Sequence, residues 1–270
     1  MAKKIGPQFI VHPKFVLKES EASTKPLSSG NKETDRATVQ RLAAEIGLQQ
    51  QMLYAGHKHK VLVILQGMDT SGKDGTVNDV FAAVNPQGIR IANFKGPTAI
   101  ELAHDYLWRV HAQVPVAGEI AVFNRSHYED VLITRVHDWI DDKECKRRYR
   151  QINDFERMLW ETGTVVLKFF LHISKAEQKS RLQSRIDDPN KHWKFDPQDL
   201  AERKFWDAYQ QRYQEVLRQT STLHAPWYVV PADSKTHRNL LVANVVLETL
   251  QKLKLRFPDP KPELKDLKFD

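Results

Sequence analysis

Short apolar runs alternate with amphipathic segments along most of the chain. The apolar runs predict five strands, at residues 61–66, 89–94, 119–124, 164–171 and 227–230. Residues 35–55 have helical spacing instead, with apolar positions at Val39, Leu42, Ala43, Ile46 and Leu53. Strands that alternate with helices in this way predict an α/β fold, in which helices sandwich a parallel sheet of about five strands.

Polar residues indicate where several of these helices begin and end. In a capping box, a Ser or Thr side chain and a Glu three residues later bind each other's backbone N–H groups. Three pairs have this spacing: Thr98 with Glu101, Ser126 with Glu129, and Ser174 with Glu177. A further helix is predicted over 73–84, after the first strand, and Gly163 predicts the end of a helix over 142–162.

Composition excludes several classes of protein. The chain has 270 residues, of which 41% are hydrophobic and 28% charged, as is typical of a globular protein. We find no secretory signal and no apolar stretch long enough to span a membrane, so a cytoplasmic location is expected. Cys145 is the only cysteine, which excludes an intrachain disulfide and a cysteine zinc site.

The positive charge is concentrated in one segment. The net charge of the chain is +7, and residues 143–194 contain 13 Lys and Arg against 7 Asp and Glu, a net charge of +6. A solvated helical face would explain this excess if it stood alone. Beside a phosphate-binding loop, it favours a polyanionic ligand such as a nucleotide, a nucleic acid or another phosphate polymer.

Such a loop follows the first strand, where residues 67–76 read Gly-Met-Asp-Thr-Ser-Gly-Lys-Asp-Gly-Thr. Gly67, Gly72 and Lys73 have the spacing of a P-loop, in which backbone N–H groups, the lysine and a helix N-terminus bind phosphate. The residues predicted to contact phosphate or nucleotide here are Gly67, Thr70, Ser71, Gly72, Lys73, Asp74, Gly75 and Thr76.

Two acidic residues distinguish this loop from an ordinary P-loop. Asp74 occupies the position where a Ser or Thr is expected, and Asp69 lies inside the loop. Carboxylates repel phosphate unless a metal ion lies between them. The loop therefore predicts phosphoryl transfer with a divalent metal, Mg²⁺ or Mn²⁺.

The end of the third strand supplies a second group of candidates. P-loop enzymes carry a metal-binding acid at this position, whereas here the residue is Asn124, which offers only a carbonyl oxygen. Asp69, Glu129 or Asp130 would then supply the missing charge. Arg125 is expected to point into the same crevice. Glu129 has two interpretations, a metal ligand or the capping partner of Ser126.

Two arginines four residues apart suggest a lid over the site. Arg181 and Arg185 share a helix face and precede a basic loop that ends at Lys194, so they could offset charge on a transferring phosphate. Two solvated arginines are the alternative. Lys95, after the second strand, lies where an acceptor or a phosphate could bind.

Taken together, these motifs resemble those of the polyphosphate kinase 2 family over residues 35–255. The resemblance rests on Gly67-x-Asp69-x-x-Gly72-Lys73-Asp74-Gly75, on Phe123-Asn124-Arg125-Ser126-x-Tyr128-Glu129-Asp130, on Arg181-x-x-x-Arg185 with Pro189-x-Lys191-x-Trp193-Lys194, and on Ala225-Pro226-Trp227-Tyr228. It implies a P-loop nucleotide-kinase fold with a lid, and transfer of phosphate between inorganic polyphosphate and nucleotides with magnesium or manganese.

The resemblance also implies roles for individual residues. By position, Asp69 is implied as a metal ligand and possible base, and Lys73 and Arg125 as phosphate binders. Arg181 and Arg185 are implied as lid arginines. Many members have Asp at the position of Asn124, and Asn there resembles the subgroup that phosphorylates both AMP and ADP.

We therefore expect a metal-dependent phosphotransferase that moves phosphate from polyphosphate to AMP and ADP. The alternatives are a nucleoside or nucleotide kinase that uses ATP, and a non-catalytic polyanion-binding P-loop protein. Expected partners are polyphosphate, adenine nucleotides (AMP, ADP and ATP) and further copies of the chain, with guanine nucleotides as an open alternative; no membrane or nucleic acid is expected. The predicted domains are an arm at 1–34, lying on the surface or on a partner subunit, a P-loop kinase domain at 35–255 with its lid at about 181–200, and a tail at 256–270.

Overall fold

Five parallel strands form one sheet within residues 7–260, the part of the chain that the computed structural model describes. The strands are β1 (Lys60–Gln66), β2 (Ile89–Asn93), β3 (Ile120–Asn124), β4 (Thr164–His172) and β5 (Trp227–Pro231). Their order across the sheet is β2-β3-β1-β4-β5, and every neighbouring pair is parallel. The α/β prediction and all five predicted strands are confirmed.

Ten α-helices and five short 3-10 helices connect the strands of the described part. The α-helices are α1 (Lys32–Gly56), α2 (Lys73–Val80), α3 (Ala99–Leu102), α4 (Trp108–His111), α5 (Ile133–Val136), α6 (Asp142–Glu161), α7 (Lys175–Asp187), α8 (Pro197–Arg203), α9 (Trp206–Thr220) and α10 (Lys235–Lys252). The 3-10 helices are Pro7–Phe9, Glu19–Ser23, Pro86–Gly88, His127–Val131 and Pro189–Lys194.

The core lies in two layers, one on each face of the sheet. On one face, α1, α2 and α10 cover the sheet, and their side chains Ile46 and Val80 belong to the same apolar cluster as Val63 of β1. On the other face, α6 and α9 pack through Ile152 and Val216. The sheet is covered on both sides, so β1 is buried from Val61 to Gln66, which explains why its sequence is an apolar run and not an alternating one.

One predicted helix end differs from the structure, and two other predicted boundaries agree with it. The helix predicted over 73–84 ends at Val80, because a turn in which the N–H of Val84 binds the carbonyl of Phe81 leads into the Asn85–Pro86 pair. Thr98 and Glu101 form the predicted capping box, and Gly163 lies beyond the end of α6 with φ 87°.

Neither of the two other predicted capping boxes forms completely. Ser174 accepts the N–H of Glu177 as predicted, whereas Ser126 accepts the N–H of Tyr128, two residues later, and not that of Glu129. The glutamates turn elsewhere, because Glu129 accepts a hydrogen bond from a glutamine of β1 and Glu177 pairs with Arg181. Side-chain partners brought close by the fold compete successfully with the local cap.

The predicted N-terminal arm, as far as it is described, lies along its own chain. Ile10 forms an antiparallel bridge with Tyr228 of the edge strand β5, and Val11 donates its N–H to the carbonyl of Trp227 at 2.9 Å. Leu27 then reaches α10, where its N–H lies 3.3 Å from Nε2 of His237. Residues 1–6 of the arm and 261–270 of the predicted tail lie outside the described residues.

Strand order places the two principal motifs at one edge of the sheet. β1 pairs with β3 so that Leu65 lies opposite Asn124, and the loop after β1 therefore meets the segment after β3. Ligands of open α/β sheets bind at this carboxyl edge. No helix within residues 7–260 combines the length and the hydropathy needed to cross a membrane.

Candidate functional site

The lysine of the P-loop, between β1 and α2, is hydrogen-bonded back to the start of the loop. Lys73 begins α2, and its Nζ donates hydrogen bonds to the carbonyl oxygens of Gly67 at 2.8 Å and Met68 at 3.3 Å. Burial, together with the nearby Arg125, lowers the pKa of Lys73 to about 8, although Asp69 acts in the opposite direction. A phosphate bound in the loop would raise this pKa again, because it adds negative charge beside a buried cation.

Two loop positions have left-handed backbone conformations. Thr70 has φ 64° and Gly72 has φ 101°. A Cβ atom at Gly72 would lie 1.8 Å from Nη1 of Arg238, so glycine is required there. The buried hydroxyls of Thr70 and Ser71 have no hydrogen-bond partner within residues 7–260. Thr70 lines the cleft in front of the loop, so its hydroxyl is available to a phosphate oxygen.

Arg181 braces the loop from the outside. Its Nη1 donates to the carbonyl of Thr70 at 2.9 Å, its Nη2 donates to the carbonyl of Ala232 at 2.7 Å, and its Nε donates to Glu177 at 2.8 Å. The sequence predicted that this guanidinium would face a transferring phosphate. In the structure its donors are largely occupied by backbone carbonyls, and α7 is therefore packed firmly against the loop.

Arg238, which the sequence analysis did not single out, approaches the loop from α10. Its side chain is buried, with Nη1 donating to the carbonyl of Ser71 at 3.2 Å and Nε donating to Asn239 Oδ1 at 2.9 Å. It forms no ion pair with a described carboxylate. Burial and the nearby Arg181 lower the pKa of Arg238 to about 9. In the sequence, only the group of basic residues shortly after β5 indicated a role for Arg238.

Asp69 and Arg125 form an ion pair across the mouth of the loop. Arg125 follows β3 with φ 61°, a conformation that turns its side chain away from the strand direction. Burial opposes its positive charge, but Glu129 and Asp69 raise the pKa of Arg125 above its ordinary value. The predicted convergence of these two residues on one crevice is observed.

Asn124 is joined to Asp74 and not to Asp69. Its Nδ2 donates to Asp74 Oδ1 at 2.6 Å and to Asn93 Oδ1 at 2.9 Å. Because the amide nitrogen is used in both bonds, the amide oxygen of Asn124 is left as a potential ligand. The exposed carboxylate of Asp74 lies in the same cleft.

Glu129 lies beside the end of β1, behind the cleft. Its Oε1 accepts a hydrogen bond from Gln66 Nε2 at 2.9 Å, and Ser126 donates to Gln66 Oε1 at 3.2 Å. Glu129 does not line the main cleft, although its charge helps to raise the pKa of Arg125 and partly opposes the lowering of the pKa of Lys73 by burial. Its metal-ligand role stays a prediction, while its placement favours electrostatic support of the two cations.

The predicted lid segment closes the other side of the cleft. Arg185 donates to the carbonyl of Lys194 at 2.7 Å and to Asp199 Oδ2 at 3.1 Å. Burial and the charge of Asp69 raise the pKa of Asp199 to about 6. Trp193 is 79% exposed, and its ring lies 4.8 Å from Nζ of Lys194. Arg185 and Lys194 are thus both present at the cleft, with Arg185 held by an acid that the sequence analysis missed.

These elements enclose a cleft of about 670 Å³. Its lining includes Asp69, Thr70, Gly72, Lys73, Asp74, Gly75, Asn124, Arg125, Arg181, Arg185, Lys194, Asp199, Lys235 and Arg238. Lys95 is not among its lining residues. Lys95 lines a separate cleft of about 380 Å³ beyond β2, where Arg109 donates to its carbonyl oxygen at 2.9 Å.

The oxygen donors of the cleft fit a metal that is shared with substrate. Within residues 7–260, no three His, Cys, Asp or Glu side chains cluster closely enough to hold a cation by themselves. Asp69, Asp74 and the amide oxygen of Asn124 are the oxygen donors at the P-loop side of the cleft, and Asp199 lies on the lid side. Mg²⁺ is commonly held by one or two carboxylates, substrate phosphates and water, so this sparse set is suitable for it.

Comparison with known proteins agrees with this geometry. The family model described as polyphosphate kinase 2 matches residues 29–258. An AMP/ADP-polyphosphate phosphotransferase of Meiothermus ruber is 50% identical over 248 residues, which cover 92% of this chain and 93% of that protein. An ADP-polyphosphate phosphotransferase of Rhodopseudomonas palustris is 46% identical over 225 residues, covering 79% and 78%.

A solved structure shows the same fold over nearly the whole chain. The crystal structure of polyphosphate kinase 2 from Arthrobacter aurescens TC1 superposes with a TM-score of 0.93 at 43% sequence identity, covering 99% of this chain and 94% of that one. The resemblance inferred from the motifs is confirmed, and this chain belongs to the polyphosphate kinase 2 family.

Proposed function

We propose that this protein transfers phosphate from inorganic polyphosphate to AMP and ADP. The observation that carries the proposal is a P-loop cleft in which Asp69 and Asp74 face several cations, among them Lys73, Arg125 and Arg185. Acids and cations together suit a phosphate ligand that arrives with metal. The relative that is 50% identical and named AMP/ADP-polyphosphate phosphotransferase supports both substrates.

Enzymes of this family are generally dependent on a divalent metal. We propose Mg²⁺ or Mn²⁺ here, held by Asp69 and by Asp74 with Asn124. Asp74 is better placed than Glu129, which is bonded to Gln66 behind the cleft. A divalent ion in this place would offset the charge of the carboxylates and phosphates and polarise the transferring group.

The protein side chains position the reactants and balance their charge. A terminal phosphate oxygen of the nucleotide attacks the end phosphate of the polymer in line, the bridging P–O bond to the next phosphate breaks, and the polymer leaves one phosphate shorter; no covalent enzyme intermediate is required. Lys73 and the hydroxyl of Thr70 bind the phosphate held in the loop. Arg125 and Arg185 exchange their carboxylate partners for phosphate oxygens, where they offset the negative charge of the transition state. The guanidinium of Arg181 keeps the loop in shape.

Phosphorus NMR tests the proposal directly. Enzyme, AMP, Mg²⁺ and polyphosphate should give the β-phosphate signal of ADP and then the γ-phosphate signal of ATP, while polymer signals decrease. A parallel sample with ATP in place of polyphosphate tests the ordinary kinase alternative. ADP formed from ATP, with none formed from polyphosphate, would contradict the proposal. GMP and GDP in place of AMP test guanine nucleotides.

Asp69→Asn and Lys73→Ala serve as matched variants in the same assay. Each removes one preorganised charge contact, and we expect each to lower turnover about a hundredfold or more at saturating metal. Near-normal turnover in either variant would exclude that residue from the mechanism.

We further propose that the protein assembles into a homo-oligomer. The supporting observation is a set of exposed apolar side chains on α3 and α4: Ile100 and Leu102 are each 69% exposed, and Trp108 is 45% exposed. Light scattering coupled to size-exclusion chromatography measures the mass of the assembly. A monomer at micromolar concentration would refute this proposal.

A further inference from the structure

Two side chains of α7 hold the strained backbone around Thr70 of the P-loop. Thr70 has φ 64°, in the left-handed region, which is unfavourable for a residue other than glycine. Such a conformation persists only where the surrounding structure fixes it. The carbonyl of Asp69, in the peptide group before Thr70, accepts a hydrogen bond from Gln178 Nε2 at 3.2 Å. The carbonyl of Thr70, in the peptide group after it, accepts one from Arg181 Nη1 at 2.9 Å.

Gln178 also binds the lid side of the cleft. Its Oε1 accepts a hydrogen bond from Nη1 of Arg203, in α8, at 2.5 Å. A guanidinium only donates and a backbone carbonyl only accepts, so the two partners fix which end of the Gln178 amide faces which. Gln178 is 1% exposed and does not line the P-loop cleft. It therefore acts on the site through the groups that it binds, and not by contact with a substrate.

Arg203 directs its charge to Gln178. Among the described residues 7–260, no carboxylate forms an ion pair with Arg203. The guanidinium carbon lies 5.9 Å from the ring centre of Trp206, which it partly covers. A charged donor makes a stronger hydrogen bond than a neutral one, so the bond from Arg203 is well suited to hold the buried amide in one orientation.

Other residues of α8 dock this helix against the body of the protein. Asp199 accepts a hydrogen bond from Arg185 of α7 at 3.1 Å. Glu202 accepts one from Tyr209 of α9 at 2.7 Å, and its Oε2 lies 3.0 Å from Nε2 of His137, at the end of α5. The bond from Arg203 extends this docking, through Gln178, to the backbone of the P-loop.

We propose that Gln178 is a positioning residue, which transmits the docked position of α8 to the peptide group between Asp69 and Thr70. With α8 docked, Arg203 holds the amide of Gln178, and this amide holds the carbonyl of Asp69. The carboxylate of Asp69 and the hydroxyl of Thr70 then face the cleft. The inference rests on the proposed function for the roles of these two groups in phosphate transfer.

The kinetic test uses Gln178→Met, Arg203→Met and the double variant, with polyphosphate as donor and ADP as acceptor. Methionine keeps an apolar side chain of similar length but cannot form either hydrogen bond. Each single variant should lower kcat about tenfold, the scale of one lost hydrogen bond that involves a charged group. The KM for ADP should change less than about twofold, because neither lost bond is made to substrate. The double variant should lose no more than Gln178→Met, because Arg203 acts through Gln178.

Hydrogen–deuterium exchange of the free protein gives a readout that does not depend on turnover. In Arg203→Met, the amides of residues 67–76 should exchange about tenfold faster than in the wild type, although the substituted residue is bonded to Gln178 and not to the loop. Gln178→Met should give the same increase. Circular dichroism during urea unfolding shows whether each variant is folded under the conditions of both measurements.

Gln183→Met is the matched control, because it makes the same substitution at an exposed position of the same helix, where the side chain is bonded to Asp187. It should leave kcat and the exchange of the loop unchanged. Wild-type kcat and exchange in Arg203→Met would overturn the inference, even if Gln178→Met does not fold. A double variant whose loss in kcat equals the product of the two single losses would also overturn it, because Arg203 would then act by a separate route.

ATP in place of polyphosphate separates this inference from the proposed function. If the wild-type protein uses ATP and not polyphosphate, the proposed function fails, while the same variants test Gln178 with ATP as donor. If it uses neither donor, the proposed function also fails, and the exchange of the loop alone decides the inference. Normal use of polyphosphate by the wild type, with multiplicative losses in the variants, would refute the role of Gln178 and leave the proposed function intact.

Discussion

Asn124 Nδ2 donates a hydrogen bond to Asp74 Oδ1 at 2.6 Å and so joins the end of β3 to the first turn of α2. In P-loop NTPases the residue after the loop lysine is Ser or Thr, and the strand beside the P-loop strand ends in Asp. Both residues contact Mg²⁺. Here the neutral and the acidic residue have exchanged places. The pair keeps one negative charge at the same point of the cleft, but the charge is now on the P-loop side.

This exchange predicts how the metal requirement responds to mutation. Asp74→Asn removes the negative charge of the pair, and we expect it to raise the Mg²⁺ concentration for half-maximal activity at least about tenfold, the scale of one lost charge contact. The double variant Asp74→Asn/Asn124→Asp restores the charge and the hydrogen bond, so it should recover most of the affinity. The measurement is initial rate against free Mg²⁺. An unchanged requirement in Asp74→Asn would refute a metal role for this pair.

The lowered pKa of Lys73 predicts how kcat/KM and kcat depend on pH. Its pKa is lowered to about 8 in the free protein, mainly by burial, so its cation is lost as the pH rises through 8. Because kcat/KM reports the free enzyme, its value for polyphosphate should decline above about pH 8. Bound phosphate raises the pKa of Lys73, so kcat should persist to higher pH. Parallel profiles of kcat and kcat/KM up to pH 10 would contradict this assignment.

The ion pair between Asp69 and Arg125 predicts non-additive effects. Arg125→Gln should lower kcat/KM about a hundredfold, because a charge that offsets the phosphate oxygens is lost. The same substitution also frees Asp69 from its partner. Residues in direct contact couple, so the double variant Asp69→Asn/Arg125→Gln should lose less than the product of the two single losses. Steady-state kinetics of the four proteins measure this coupling, and a fully multiplicative loss would show that the two residues act independently.

The sequence predicted the sheet and the P-loop well, for a physical reason. The apolar run of β1 is dictated by burial on both faces, and Gly72 is dictated by the left-handed backbone of the loop, with φ 101°. Such constraints act on residues close in sequence and leave a local pattern. Neighbouring parallel strands then bring their carboxyl ends together, which is why the convergence of Asp69 and Arg125 could be predicted.

The less predictable features depend on partners that are distant in the chain. The contact of Arg238 with the carbonyl of Ser71 spans 167 positions, and that of Arg181 with Thr70 spans 111. The sequence placed Arg181 on the lid but did not show that its guanidinium would donate its hydrogen bonds to backbone carbonyls. Glu129 likewise had a local role as a cap, and only the folded chain places Gln66 beside it. Local spacing identifies which groups are available, whereas the fold decides between their possible partners.

A buried ion pair supports the segment that carries Arg125. Lys168 of β4 and Glu156 of α6 have no exposed surface, and Lys168 Nζ lies 2.6 Å from Glu156 Oε2. Tyr128, three residues after Arg125, donates to Glu156 Oε1 at 2.7 Å and accepts from Lys168 at 2.8 Å. This network anchors the 3-10 helix after β3 to the inside of the sheet.

Removing the charge of only one partner should therefore lower the stability of the protein strongly. Glu156→Gln leaves the ammonium of Lys168 buried without a counter-charge, and Lys168→Met leaves the carboxylate of Glu156 in the same position. We expect each single variant to lower the free energy of unfolding by about 3–5 kcal/mol, whereas Lys168→Met/Glu156→Gln, which removes both charges, should lose less than either. Urea unfolding followed by circular dichroism measures all three. A double variant less stable than both single variants would show that the hydrogen bonds of the network, and not the unpaired charge, dominate the loss.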